Sequence, residues 1–311
     1  MTENSDEKSF SLDNIEIGVG AWAWGDRFFW NYGGSYSDDD IEAAFRASLD
    51  VGVNFFDTAE VYGQGRSEQI LGKLMKTTEK SVLVATKFFP YPWRLSKNSL
   101  HKALQNSLNR LRVDNVLLYQ IHWPLFLLPI EFLMDAMAHE ANSGKTIAIG
   151  VSNFNNSQTQ RAYNALARHQ NKLASNQVEY NLLNRQIEKN GLLARCQKLG
   201  VRVISYSPLA QGLLTGKYSP ESTPPGVRGP RYASIIKGIK PLIGLMTDIG
   251  ISHSDKTPGQ VALNWLICKG TLPIPGAKNL KQVQQNNGSI GWRLSDEEVA
   301  ALDLASDEVG K

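Results

Sequence analysis

The sequence predicts an α/β chain closed into a single (β/α)₈ TIM barrel, and three observations carry that expectation. Short β-rich runs alternate with amphipathic stretches at a spacing of about 30 residues, the rhythm of repeated βα units. Eight such runs occur, nearly continuous in apolar residues, as parallel strands are when both faces are buried. A chain of 311 residues suits one large barrel or two smaller domains. The two-domain alternative, a doubly wound sheet, lacks its phosphate fingerprint: "GVGAWAWG" places Gly18, Gly20 and Gly25 out of step with G-x-G-x-x-G.

Strands are expected at 15–20 (IEIGVG), 53–56 (VNFF), 82–86 (VLVAT), 116–121 (VLLYQI), 146–152 (TIAIGVS), 174–179 (ASNQVE), 201–207 (VRVISYS) and 272–275 (LPIP). Helices are expected at 38–50, 66–77, 96–111, 129–143, 156–169, 188–198, 257–268 and 279–287. Ser96 and Thr257-Pro258 mark helix starts. The hydroxyls cap free N–H groups, and the proline's fixed φ suits a first turn. The break at 208–256 holds Pro220, Pro224, Pro225 and Pro230 in "TGKYSPESTPPGVRGPRY". It is too loop-like for a core and too long for a simple connection, so it reads as a lid. A second flap is expected at 25–37, where Phe28, Phe29, Trp30 and Tyr32 are too aromatic for a solvated loop. The whole chain, 1–311, then forms one domain, with 1–14 a polar tail.

Charge excludes several functions. Lys plus Arg number 33 against 30 Asp plus Glu, a net +3 without long runs of one sign. That balance gives no footprint for nucleic acid or an anionic membrane. Cys196 and Cys268 lie in no metal-binding pattern, so no metal is expected. The start "MTENSDEKSFSLDN" does not read as a secretory signal, and no apolar run reaches the ~18 residues of a membrane span. A soluble, cytoplasmic monomer acting on a small molecule is the expectation.

In such a barrel, chemistry gathers at the C-terminal ends of the strands. Asp57 follows the second strand and Tyr62 lies in the loop beyond it; Lys87 ends the third strand and His122 the fourth. Together they suit proton transfer to a carbonyl oxygen. A phenol with a pKa near ~10 is a poor donor at neutral pH. An adjacent ammonium should lower that value, a paired carboxylate should fix the ammonium, and the imidazole should orient the carbonyl. A carbonyl that gains a proton also needs a hydride. Ser152, Asn153 and Gln177 are placed to grip a nicotinamide carboxamide, and Tyr206 offers a face for stacking. "PGAKNLKQVQQN" (275–286) is a glycine turn opening a helix, the usual barrel phosphate site. Lys278 within it suits a 2′-phosphate, favouring NADPH over NADH.

With these residues in view, the chain resembles the aldo-keto reductase family, on its plant-type and bacterial branch. The resemblance runs from "IEIGVGAW" to "PGAKNLKQVQQN" through "DTAEVYGQGRSEQILG", "ATKF", "QIHWP", "GVSNF", "QVEYNLLNR" and "SYSPLAQGLLTGKY", in order. It implies a catalytic tetrad of Asp57, Tyr62, Lys87 and His122, with nicotinamide contacts at Ser152, Asn153, Gln177 and Tyr206. Cofactor-clamp positions fall on Ser207, Leu209, Gln211, Gly212 and Lys217. Adenosine-phosphate positions fall on Gly276, Lys278, Asn279, Gln282, Gln285 and Asn286; at Gln285 many relatives carry an acidic residue.

The implied activity is NADPH-dependent reduction of aldehydes or ketones: small aldehydes such as methylglyoxal, aromatic aldehydes, or semialdehydes such as succinic semialdehyde. Trp22, Trp24, Tyr62 and Trp123 are expected to line the substrate site, with Trp30 closing it. Arg27, Arg94 or Arg231 would hold a substrate carboxylate. Two alternatives stand beside this reading. One is a cofactor-bound regulatory subunit; the other takes Lys87 as the Schiff-base nucleophile of a barrel aldolase.

Overall fold

A computed structural model of the chain describes residues 12–124, 127–224 and 228–309, with the side chains of 228, 229 and 231 outside the description. Pro225, the side chain of Arg231 and most of the expected 1–14 tail therefore lie outside the described residues. The strands are β1 (Val19–Gly20), β2 (Phe55–Asp57), β3 (Leu83–Phe88), β4 (Val116–Ile121), β5 (Thr146–Ser152), β6 (Leu173–Glu179), β7 (Arg202–Tyr206) and β8 (Leu272–Pro273). They pair in chain order, every pair parallel. The sheet closes on itself where the Gly18 amide donates to Pro273 O (3.0 Å) and the Gly20 amide to Pro275 O (3.1 Å). Pro273 and Pro275 have no N–H to return, so this seam is bonded from one side. That is why β1 and β8 are shorter than the expected 15–20 and 272–275.

The helices are α1 (Asp38–Asp50), α2 (Arg66–Met75), α3 (Lys97–Leu111), α4 (Ile130–Asn142), α5 (Asn156–Ala167), α6 (Gln186–Lys189), α7 (Leu192–Leu199), α8 (Arg228–Gly238), α9 (Lys240–Ser252), α10 (Pro258–Cys268), α11 (Leu280–Asn287) and α12 (Asp296–Glu308). Ser96 and Thr257 cap α3 and α10, each accepting a backbone N–H three residues on. The helix expected at 188–198 is instead α6 and α7. The chain breaks at Gly191, whose φ of +77° is left-handed. The expected lid at 208–256 is also corrected. Its second half is α8 and α9, and α9 buries Leu242, Met246 and Ile249 in the core around the barrel. The unanticipated α12 is capped by Ser295 and docks through Leu302 and the Lys269–Asp303 ion pair.

Two apolar layers result. Phe45, Leu71, Leu108, Met134, Leu166 and Leu266 belong to the layer between barrel and helices. Phe55, Ala85, Leu118, Ile204, Leu272 and Ile274 form a second cluster, which Leu12, in the turn Leu12–Asn14, joins. On β3 to β6, register then places polar residues nearer the strand ends. Lys87 faces Gln120 across the ladder, Gln120 faces Gly150, and Ser152 faces Gln177.

α2, which follows the Asp57–Tyr62 segment, lies close against α3 at Gly72. A Cβ there would stand 2.4 Å from Arg110 O and 2.6 Å from Leu111 O. Both are backbone atoms and cannot rotate away. Gly72→Ala should therefore destabilise the fold by about 1–3 kcal/mol, read as a lower urea midpoint. An unchanged midpoint would contradict this close approach.

Candidate active site

Lys87 has no exposed surface and Asp57 is 2% exposed, yet the two meet as an ion pair. Their ion pair, Lys87 Nζ to Asp57 Oδ1, is completed on every side. Nζ also donates to Thr58 O (2.8 Å) and lies 3.4 Å from the Tyr62 hydroxyl. The other carboxylate oxygen, Oδ2, accepts from Gln177 Nε2 (2.7 Å) and Gln120 Nε2 (3.2 Å). Asp57 is the last residue of β2 itself, not the residue after it. The loop it opens is anchored by Thr58 N to Ala85 O (2.8 Å) and by the Thr58–Ser67 hydroxyl contact (2.8 Å). Left-handed Gly63 and Gln64 then turn the chain just after Tyr62.

Charge balance in this buried cluster is lopsided. Burial works against the Lys87 charge, but the Asp57 carboxylate and the Tyr62 oxygen outweigh it and hold the ammonium above its ordinary range. Burial pushes the Tyr62 phenol up; Lys87 opposes the rise and Asp57 adds to it. The expectation of a phenol lowered by lysine is thus corrected. Lysine limits the rise, and the proton stays on Tyr62. The His122 ring meets Tyr62 edge-on, centroids 5.7 Å apart. Burial, and secondarily Lys87, pull its pKa down to about 3, so the imidazole is neutral. Its Nδ1 is buried without a hydrogen-bond partner.

These groups border a cleft of about 790 Å³, within the usual range for small-molecule sites. Asp57, Tyr62 and His122 line it, while Lys87 stands behind them. Enclosed and triply engaged, Lys87 is not available as a Schiff-base nucleophile. The residues expected to hold a cofactor, from Ser152 at the end of β5 and Asn153 just after it to Asn286 on α11, all face the same cleft. Asn153 donates to His122 O (3.1 Å) and accepts from the Tyr206 hydroxyl (3.0 Å). Asn279 caps α11 at Gln282 N (3.0 Å), and Gln282 Oε1 accepts the Lys278 amide (2.7 Å). Asn153, Ser207 and Gln211 all have left-handed φ, a strain that gathers at functional sites. Lysines 217, 278 and 281 also line the cleft, where Asp57, already paired, is the lining carboxylate.

Of the aromatic residues expected around a substrate, Trp22, Trp30 and Trp123 line the cleft. Trp24 does not. It is fully buried, its indole N–H donates to Ala277 O (2.8 Å), and its ring packs on Phe56. In the 25–37 flap, Phe29 stacks on Trp22 and Trp30 meets it edge-on, whereas Phe28 points into solvent. Lys278 Nζ sits over the rings of Trp30 (5.3 Å) and Tyr36 (4.6 Å), tying the flap to the segment before α11. Arg94 is committed to Glu60, which also accepts the Phe89 amide, and Arg27 is exposed. Gln120 and Asn181, whose amide donates to Ser207 O (3.0 Å), belong to the site without being among the expected residues. A glutamine inside the apolar run "VLLYQI" was the available signal for the first.

A neutral His122 has a direct test. Its ring resonances, assigned against His122→Asn, should not titrate between about pH 5 and 8. A midpoint near the ordinary ~6.5 would contradict the buried environment described here.

The sequence model of the Aldo/keto reductase family matches residues 16–307. A pyridoxal reductase of Arabidopsis thaliana, described as chloroplastic, is 39% identical over 308 residues, covering 95% of this chain and 84% of that protein. An uncharacterized oxidoreductase of Mycobacterium tuberculosis is 36% identical over 304 residues, covering 95% and 91%. Among solved structures, the glycerol dehydrogenase of Gluconobacter oxydans matches with a TM-score of 0.78 at 30% identity, covering 95% of this chain and 93% of that one. An aldo/keto reductase from Klebsiella pneumoniae in complex with NADP and acetate gives 0.74 at 30% identity, with the same coverage. Matched over nearly its whole barrel, in sequence and in shape, the chain belongs to the aldo/keto reductase family.

Proposed function

We propose that this protein reduces aldehydes to primary alcohols with NADPH, Tyr62 giving the proton to the carbonyl oxygen. The observation that carries the reading is the Tyr62 hydroxyl at the cleft with the Lys87 ammonium 3.4 Å behind it and the His122 ring edge-on beside it, where burial keeps the phenol protonated and the imidazole neutral. Lys87 stabilises the phenolate left after transfer, and Asp57 keeps Lys87 charged and in place. His122, uncharged, orients the carbonyl without competing for the proton. Solvent reprotonates Tyr62 afterwards.

The cleft residues fit NADPH. Buried Gln211 Oε1 has no protein partner and can accept from a ligand. The N-terminus of α11 and the three lining lysines suit its phosphates. We assign the 2′-phosphate to Lys278, the carboxamide to Ser152, Asn153 and Gln177, and the stacking face to Tyr206. When bound, the cofactor supplies the hydride that adds to the carbonyl carbon. One chain supplies every protein group this reaction uses, so a monomer suffices. Among the described residues no helix is long and apolar enough to cross a membrane, and the two free cysteines suit a reducing compartment such as the cytoplasm.

The walls favour a flat substrate. Trp22, Trp30 and Trp123 offer ring faces, and Arg94 is engaged elsewhere, which argues for aromatic aldehydes over semialdehydes. Given the Arabidopsis relative's name, pyridoxal is the first aldehyde to assay. With pyridoxal and NADPH, Tyr62→Phe should lower turnover by about 10²–10⁴-fold while NADPH affinity, measured by fluorescence, is retained. Near wild-type turnover would remove Tyr62 from the mechanism.

A further inference from the structure

Gln120 sits inside β4 with no exposed surface, one strand from Lys87 and within reach of Asp57. A buried amide away from water is unfavourable unless its polar atoms are bonded. Here they are bonded to the reaction centre. Nε2 donates to Asp57 Oδ2 (3.2 Å), and Oε1 receives Gln177 Nε2 (3.4 Å), which itself holds the same carboxylate oxygen (2.7 Å). Space for this arrangement comes from Gly150, the register partner of Gln120 on β5. A Cβ on Gly150 would lie 2.9 Å from Gln120 Cγ and 2.4 Å from Ser175 Oγ. The barrel thus omits a side chain where the amide must pass.

We propose that Gln120 is a positioning residue for proton transfer: it holds one oxygen of Asp57 so that the other stays on Lys87, and through Lys87 it sets the field at Tyr62. This inference rests on the reading of Tyr62 as the proton donor. Without the amide, the Asp57 charge loses one of its two Oδ2 donors and draws the ammonium more strongly to itself. Tyr62 then faces more negative and less positive charge, which makes it a weaker acid. The loss falls on the proton-transfer step, not on binding.

The test is Gln120→Met, which keeps volume and length but removes the amide. It is assayed as full-length enzyme with NADPH and pyridoxal, in light and heavy water. In this variant kcat should fall about 3- to 30-fold. KM for the aldehyde and NADPH affinity should stay near wild type, the thermal midpoint should fall only modestly because Gln177 still holds Oδ2, and the solvent deuterium isotope effect on kcat should grow. Gln120→Asn, whose shorter amide does not reach Asp57, should behave alike and serves if the methionine variant fails to fold. Unchanged kcat and isotope effect in the folded variants would overturn the proposal. So would a lowered thermal midpoint with unchanged kcat, which would make Gln120 purely structural. Tyr62→Phe measured alongside separates the levels. Retained turnover there overturns the reading of the whole site, whereas retained turnover in the Gln120 variants alone overturns only this inference.

Discussion

The buried pair of Lys87 and Asp57 is the constraint to which the rest of the site answers. Two charges removed from water are unfavourable unless each finds its counterion and its remaining lone pairs and protons are bonded. Asp57 Oδ2 therefore needs donors, and Gln120 and Gln177 supply them; Lys87 needs acceptors, and Thr58 O and Tyr62 supply them. A closed parallel barrel is suited to this because strands β2, β3, β4 and β6 all send side chains into one enclosed space. The apolar cluster of Phe55, Leu118 and Ile204 forms the rest of that interior, so the pair's partners must be protein groups. The same enclosure raises Tyr62, keeps His122 neutral and holds Lys87 away from substrate.

Much of the frame was legible because strand and helix signals agreed locally. The strands at 116–121 and 146–152 emerge with their expected bounds, being long apolar runs between polar loops. Where a second force intervened, local pattern misled. Prolines 273 and 275 shorten the closing seam, a consequence visible only once β8 is known to lie beside β1. The proline-rich stretch before 228 hid α9, although Leu242, Met246 and Ile249 recur at helical spacing. α12 carries its own start signal, Ser295 with Glu298 three residues on, but lies outside the βα rhythm that guides the other elements.

The site was legible to the extent that function breaks the barrel's apolar pattern. Asp57, Lys87 and His122 stand out as polar residues at the ends of buried strands, and the glycine turn before α11 stands out as a candidate anion site. Trp22 and Trp24 show the limit. They are two residues apart and chemically alike, yet one lines the cleft and the other bonds Ala277 O in the core. Only the packing of β1 against the loop before α11 decides between them. The net state of Tyr62 was illegible for a similar reason. Sequence reveals the neighbouring charge, but burial, which outweighs it, belongs to the fold.

In the proposed mechanism, Asp57 serves the chemistry by keeping Lys87 charged beside Tyr62. Asp57→Asn preserves shape and removes the countercharge, leaving a buried ammonium that favours its neutral form. The most direct measurement is the single-turnover rate of NADPH oxidation by this variant with saturating pyridoxal. A rate lower by about 10²-fold or more with NADPH affinity intact is the expected result. A rate within a few-fold of wild type would contradict it, because the buried charge pair would then be dispensable to proton transfer.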